Sequence, residues 1–205
     1  MKVIMSSNIT LESKFICLIL DYIDYHDYEG YRILLVDENK MLMTAAKYNC
    51  IHIMKFFINV NNEASVLQRR GWLEAKAAEY GSLDFIKVIS QHYHSGETIH
   101  SDTMSCASQY GHLNIIQWAH ANDIFCDKEE VVHLAARYNH IHILEWSYNN
   151  WDTLQECYVE SGIFNRASES SILWLRNKEI INDDLMHRML DVKRRNKDLF
   201  LFKNI

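Results

Sequence analysis

Apolar and polar residues follow one another with the period of an α-helix along much of the chain, and one such pattern recurs at roughly 30-residue intervals. Each copy opens with two small residues, runs on to Tyr and then Gly or Asn, and resumes with an apolar stripe. The copies are AAKYNCIHIMKF from Ala45, AAEYGSLDFIKV from Ala77, ASQYGHLNIIQW from Ala107 and AARYNHIHILEW from Ala135. Four coincident patterns at nearly constant spacing predict a repeat protein.

Each repeat predicts two helices joined by a tight turn. The small pair that opens each copy allows a neighbouring helix to approach closely. After the Tyr, Gly81 and Gly111 stand where a helix should end, and Asn49 and Asn139 take that place in the other two repeats. Because Gly and Asn adopt the left-handed conformation most readily, their exchange predicts a left-handed residue at the end of each first helix.

The second helix of each repeat is predicted from its apolar stripe, in which two apolar residues, one polar residue and one large apolar residue follow each other. Asp84 and Asn114 lie just before the stripe, where they suit the start of a helix, and His52 and His142 take that position in the other repeats. A fading fifth repeat is predicted at SILW, since Trp118, Trp146 and Trp174 recur every 28 residues.

These residues resemble the ankyrin repeat. VHLAARYNHIHILEW from Val132 is similar to the Leu-His-x-Ala-Ala segment of that family, and GHLNII from Gly111 is similar to its second-helix opening. The nearest likeness is the short, divergent variety found in large DNA viruses and some protists. The resemblance implies an all-α fold, an ankyrin-like helix-turn-helix repeat solenoid with helical end caps. The Thr-Pro that opens the first helix and the Gly-Ala-Asp of the connecting hairpin are missing, with Ala121-Asn122-Asp123 as the nearest approach, so we expect the hairpins to be shortened to loops.

We expect one domain over residues 1–205, with an N-terminal cap at 1–38, repeats at 39–178 and a C-terminal cap or tail at 179–205. Residues 10–26 predict an amphipathic helix, and YRILLV from Tyr31 fits either a strand or a helix. Asp183 and Asp184 precede LMHRML and Lys193-Arg194-Arg195 follow it, which predicts a helix that closes at the three bases. The last residues, DLFLFKNI, fit either a docked segment or an exposed anchor.

Composition narrows the class of protein. The chain is 48% hydrophobic, lacks proline and carries a net charge of -6, which favours a helix-rich globular fold and weighs against nucleic-acid binding. Its five cysteines are scattered, as in an intracellular protein. The apolar run from Phe15 is too short to span a bilayer. We expect a cytoplasmic protein (host cytoplasm or nucleus if viral) with no membrane partner, a monomer for which self-association stays open.

Histidines supply the main candidates for chemistry, namely the pair His140 and His142 and the group His92, His94 and His100. Two imidazoles one residue apart could face one metal ion, but the repeat alignment places His140 level with His112, Ser82 and Cys50, and this alternation of residue types favours a turn. We interpret the other group as a solvated loop and Cys106 as a small buried residue. We therefore predict no metal, no cofactor and no catalytic residue.

The candidate partner-binding residues are the pairs that follow the small residues: Lys47 and Tyr48, Glu79 and Tyr80, Gln109 and Tyr110, Arg137 and Tyr138. The resemblance implies that these positions lie on or near the concave binding surface. The first member changes from repeat to repeat while the Tyr stays, so we expect the first member to be exposed. The Tyr fits either an interface or packing between repeats, and packing is favoured.

The resulting hypothesis is a non-catalytic protein–protein interaction module, for which the resemblance implies a viral protein that binds a host factor. The partner is expected to be another protein. Two alternatives stay open: an adaptor that recruits a ubiquitin ligase through its C-terminal segment, and a self-assembling structural component.

Overall fold

A computed structural model describes residues 38–60, 69–92, 99–151 and 166–202. Within these ranges the regular structure is entirely helical, as the sequence predicts. The ten helices are α1 Glu38–Tyr48, α2 Ile51–Val60, α3 Arg70–Glu79, α4 Leu83–His92, α5 Ser101–Tyr110, α6 Leu113–Ala121, α7 Lys128–Arg137, α8 Ile141–Asn150, α9 Glu169–Asn177 and α10 Asp183–Phe202. The predicted helix at 10–26 and the YRILLV segment lie outside the described residues.

The first helix of each repeat ends in a left-handed turn, as the sequence predicts. Backbone φ is 57° at Asn49, 75° at Gly81, 85° at Gly111 and 67° at Asn139. The following residue then donates its amide to a carbonyl five positions back, as in Cys50 N to Ala45 O at 2.9 Å and Ser82 N to Ala77 O at 2.8 Å. This bond satisfies a carbonyl that the helix leaves without a partner, and it sets where the next helix begins.

The second helices α2, α4, α6, α8 and α9 bury equivalent positions. In α8 the third, fourth and seventh residues, Ile143, Leu144 and Ser147, are fully buried. Their counterparts are Ile53 and Met54 in α2, Phe85, Ile86 and Ile89 in α4, Ile115, Ile116 and Ala119 in α6, and Ser171, Ile172 and Leu175 in α9. The sixth residue is half-buried Trp in α6, α8 and α9. The register predicted from the tryptophans is therefore confirmed, and the fading fifth repeat supplies α9.

The small pair that opens each copy is completely buried in its first helix. Exposure is 0% at Ala45, Ala46, Ala77, Ala78, Ala107, Ser108, Ala135 and Ala136. A helix face without large side chains allows another helix to pack close to its backbone. In this way α1 packs on α3, and α7 packs on α9.

The chain divides into two compact bodies. In the N-terminal body, residues 1–107 with 114–125, the pair α1 and α2 packs beside the pair α3 and α4. In the C-terminal body, residues 108–113 with 126–205, α7 and α8 pack against each other and against α9, and α9 packs on α10.

One connection between helices and the end of the last helix can be compared with their predictions. Residues 122–127 between α6 and α7 form a loop without a strand, as expected from the missing hairpin motif. The helix predicted to close at Lys193-Arg194-Arg195 instead continues to Phe202, so that prediction is wrong. Neither Gly nor Pro follows the three bases, and NKDLFLF supplies nothing that stops a helix. Among the described residues, no helix is both long enough and apolar enough to cross a bilayer.

Candidate functional site

The repeated tyrosines lie at the C-terminal ends of the first helices, and three of them are substantially exposed. Tyr80 is 41% exposed, Tyr110 46% and Tyr138 41%, while Tyr48 is half-buried. Each ring sits at the last residue of its helix or at the position that caps it. Tyr provides rigid contact area with a polar tip, so these helix ends carry the residue type that interfaces favour.

The residues before the tyrosines differ in exposure as well as in charge. Lys47 and Arg137 are exposed, whereas Glu79 and Gln109 are half-buried. The expectation that these residues are exposed therefore holds for the two cations, Lys47 and Arg137, and is wrong for Glu79 and Gln109. Glu79 forms an ion pair with Lys76 on its own helix, in which Nζ of Lys76 lies 2.6 Å from the Glu79 carboxylate.

The two exposed cations rest on tyrosine rings. In the N-terminal body, Nζ of Lys47 lies 5.5 Å from the ring centre of Tyr48 and 5.2 Å from that of Tyr80. In the C-terminal body, the guanidinium carbon of Arg137 lies 5.4 Å from the ring centre of Tyr138. These distances fall within the range of cation–π attraction, which holds each long side chain flat against its neighbour. Each body thus presents aromatic area beside positive charge.

The histidines of the HIH sequence are used in hydrogen bonds between turns. Nε2–H of His140 donates to the carbonyl of Gln109 at 2.8 Å, and Nε2–H of His142 donates to the carbonyl of Gly111 at 2.9 Å. The two rings stand at 73° with centres 5.7 Å apart. Both imidazoles therefore donate hydrogen bonds to backbone carbonyls at the end of α5 and in the turn that follows it. These bonds support the interpretation of HIH as part of a turn over its interpretation as a metal site.

Other turns are joined by equivalent bonds. In the N-terminal body, the side chain of Asn49 accepts from the amide of Phe85 at 2.9 Å and donates to Asp84 at 3.1 Å. The start of α4 is thus capped by the preceding repeat, while Asp84 lies exposed in the first turn. In the C-terminal body, Ser168 donates its hydroxyl to the Asn139 side chain at 3.0 Å. The turn residue of one repeat is therefore bonded to the second helix of the next.

The other histidine group is described only in part. Residues 93–98 lie outside the described ranges, and the ring of His100 packs against Gly71 and beside Asp102, with Nδ1 3.6 Å from its carboxylate. No cluster of three or more His, Cys, Asp or Glu side chains suited to a metal occurs among the residues that the structure describes.

A buried ion pair replaces an apolar residue in the core of the N-terminal body. Glu74 is 0% exposed and accepts from Nε of Arg70 at 2.8 Å and from the amide of His100 at 3.0 Å. The equivalent residues of the other repeats are apolar and buried: Leu42, Met104 and Val132. Sequence reasoning missed this pair, although the repeat alignment itself shows an acid where three apolar residues stand.

A second unpredicted cluster brings together Glu145 and Tyr148 of α8 with Trp174 and Lys178 at the end of α9. The indole of Trp174 donates to Glu145 Oε2 at 2.8 Å, and Lys178 Nζ lies 2.6 Å from Oε1. The hydrogen bond from Lys178, and after it the one from Trp174, lowers the pKa of Glu145 below its ordinary value. One signal for this cluster was present in the sequence. Trp174 follows Trp146 by 28 residues, and Trp146 lies in α8, the helix that carries Glu145 and Tyr148.

Two cysteine thiols, those of Cys106 and Cys126, have a raised pKa. Cys106 is half-buried, less than the sequence suggested, and burial followed by the charges of Asp102 and Glu79 raises its pKa. Burial likewise raises the pKa of Cys126. A raised pKa leaves less thiolate at neutral pH, so neither residue has the activation that a nucleophile needs.

Comparison with known proteins gives no match to any protein-family model, to any curated protein or to any solved structure.

Proposed function

We propose that this chain is a non-catalytic protein-binding module, built as a solenoid of ankyrin-like helix pairs with end caps. The support for the solenoid is the repetition itself: the same positions are buried in successive helix pairs, and turns are bonded to the next repeat. In repeat proteins each pair covers its apolar face with its neighbour, so equivalent positions recur along the array.

The observation that carries the binding role is the exposure of tyrosine at successive helix ends. Tyr80, Tyr110 and Tyr138 leave more than two fifths of their surface accessible, although the small pair just before each of them is fully buried. The neighbouring residue varies while the aromatic residue is kept, so the proposed surface combines constant contact area with variable charge. A rigid helical scaffold that holds such side chains in place loses little entropy on binding.

The partner that these helix ends suit is a protein with acidic residues, able to meet aromatic rings beside Lys47 in the N-terminal body or beside Arg137 in the C-terminal body. A viral protein that binds a host factor fits this role, and the proposal places it in the cytoplasm. The proposal assigns no catalytic residue and no cofactor.

A random-peptide display library selected on the wild-type protein tests the proposal. Selected peptides are then measured against a surface variant in which Lys47, Glu79, Gln109 and Arg137 are all changed to Ala. The matched control changes Lys55, Gln117, Glu169 and Arg188 to Ala, since these residues are exposed and carry the same total charge. Peptides that bind wild type and control but lose at least tenfold affinity for the surface variant support the proposal. Equal binding by all three proteins, or a selection that enriches nothing, contradicts it.

A further inference from the structure

Two aromatic rings and a carboxylate of the C-terminal body surround a cation that belongs to the chain itself. The rings of Tyr148 and Trp174 stand at 89° with centres 6.1 Å apart. Nζ of Lys178 lies 5.5 Å from the centre of the first ring and 5.9 Å from that of the second. Glu145 completes the cluster at 2.6 Å from the same nitrogen.

The arrangement is suited to recognising an ammonium group. A cation within about 6 Å of an aromatic face is attracted by the ring quadrupole, and two perpendicular faces attract it from two sides. The carboxylate adds a charge-assisted hydrogen bond, which is about twice as strong as a neutral one. Trp174 donates to the other carboxylate oxygen, so Glu145 is held in place from both sides.

The positions of these residues on their helices explain why the cluster is preformed. Glu145 and Tyr148 are three apart on α8, and Trp174 and Lys178 are four apart at the end of α9, so each pair shares one helix face. The two helices pack against each other. The side chains of Lys178 and Glu145 remain 32% and 42% exposed, which leaves the cluster open to solvent.

We propose that Glu145, Tyr148 and Trp174 form a recognition site for a lysine side chain of a partner protein, which Lys178 occupies until the partner displaces it. Glu145 accepts an N–H from the ammonium, so lysine and its mono- and dimethylated forms fit the site, whereas a trimethylated nitrogen has no proton to donate. The site shares no residue with the proposed binding surface, whose tyrosines are Tyr48, Tyr80, Tyr110 and Tyr138. It rests on the proposed function only in that its ligand comes from a protein.

The predicted consequence is self-competition. Lys178 is tethered beside the site, and tethered groups act at an effective concentration on the order of millimolar or above. Removing its ammonium while keeping the length of the side chain, as in Lys178→Met, should therefore raise the affinity for added alkylammonium about tenfold.

The experiment titrates the full-length protein with Nε-dimethyl-lysine, blocked at its amino and carboxyl groups, and follows the indole N–H signal of Trp174 by NMR. The variant Trp174→Phe assigns that signal. Support consists of a saturable shift in Lys178→Met, about tenfold weaker binding by wild type, loss of binding in Lys178→Met with Glu145→Gln, and weaker binding of the trimethylated probe.

The proposal is overturned if folded Lys178→Met shows no saturable shift, if it binds no more tightly than wild type, or if binding survives Glu145→Gln. Far-UV circular dichroism establishes folding, and Lys178→Gln replaces the first variant if Met at this position prevents it. Failure here leaves the peptide selection on the tyrosine surface unaffected, because the surface variant retains all four residues of this cluster.

Discussion

Replacing Glu74 by Met should destabilise the protein, even though the change places an apolar residue where the other repeats have one. Arg70 is only 8% exposed and would lose the carboxylate that lies 2.8 Å from its Nε. The amide of His100 would lose its acceptor as well. Removing one member of a buried ion pair costs about 3–5 kcal/mol, because the remaining charge stays away from water.

The double variant Arg70→Met with Glu74→Met separates the cost of taking the Glu74 carboxylate away from Arg70 from the cost of altered packing. Replacing both members of a buried pair by apolar residues is typically neutral or stabilising, so the double variant should recover at least half of the loss. The matched control is Met104→Leu at the equivalent core position, a change that conserves volume and should cost less than about 1.5 kcal/mol.

Urea and thermal unfolding followed by far-UV circular dichroism measure these differences. For a chain of this size, 1 kcal/mol corresponds to a shift in Tm of about 2–4 °C, so Glu74→Met should lower Tm by about 6–20 °C. The reasoning fails if Glu74→Met lies within about 1 kcal/mol of wild type, or if the double variant is as unstable as the single one.

Three further predictions concern other parts of the chain. Gly111→Ala should lower the free energy of unfolding by about 1–3 kcal/mol, since backbone φ at this residue is 85° and the added Cβ would lie 2.6 Å from the ring of His140. The urea midpoint should be partly restored when His140→Ser is added to Gly111→Ala. If it is not restored at all, the predicted clash with the His140 ring is refuted. Because the pKa of Glu145 is lowered in the folded protein, its carboxylate contributes to the free energy of unfolding above pH 4.5, and this contribution is lost as the pH falls below that value. The difference in free energy of unfolding between wild type and Glu145→Gln should be below about 1 kcal/mol, because solvent screens the partly exposed pair, and it should shrink below pH 4.5. A difference that does not change with pH would contradict the stabilising role assigned to this carboxylate. Cys106 and Cys126 should react with iodoacetamide at pH 8 more slowly in the native than in the urea-unfolded protein, as measured by peptide mass spectrometry, and equal rates would rule out protection by burial.

The helix pairs could be predicted from the sequence because the same pattern occurs four times, so each copy can be checked against the other three. Gly or Asn after each Tyr marked the left-handed turn, and the aligned small residues marked the buried faces. A single copy would not have been enough to predict either the turn or the buried face, since one Gly or one Ala-Ala pair occurs in many kinds of local structure.

The departures from prediction arise where one repeat differs from the others or where tertiary packing decides. Glu74 is buried because Arg70 and the amide of His100 reach it, and only the folded chain shows that contact. The extension of α10 to Phe202 was missed because bases near a helix end are favourable but do not stop a helix. The cluster at Glu145 and Lys178 requires two helices to be packed in register, which the offset of 28 suggested but the residue types alone did not.

The bonds that join successive turns have a consequence for how such a chain can change its length during evolution. At one junction an amide side chain from the earlier copy, Asn49, reaches forward to the next helix, whereas at another an imidazole from the later copy, His140, reaches back. The groups that these two side chains bond are the amide of Phe85 and the carbonyl of Gln109, and both belong to the backbone. Every copy supplies such an amide and such a carbonyl at the equivalent position, so a chain that lost or gained one whole copy would offer each side chain an equivalent partner at the new junction.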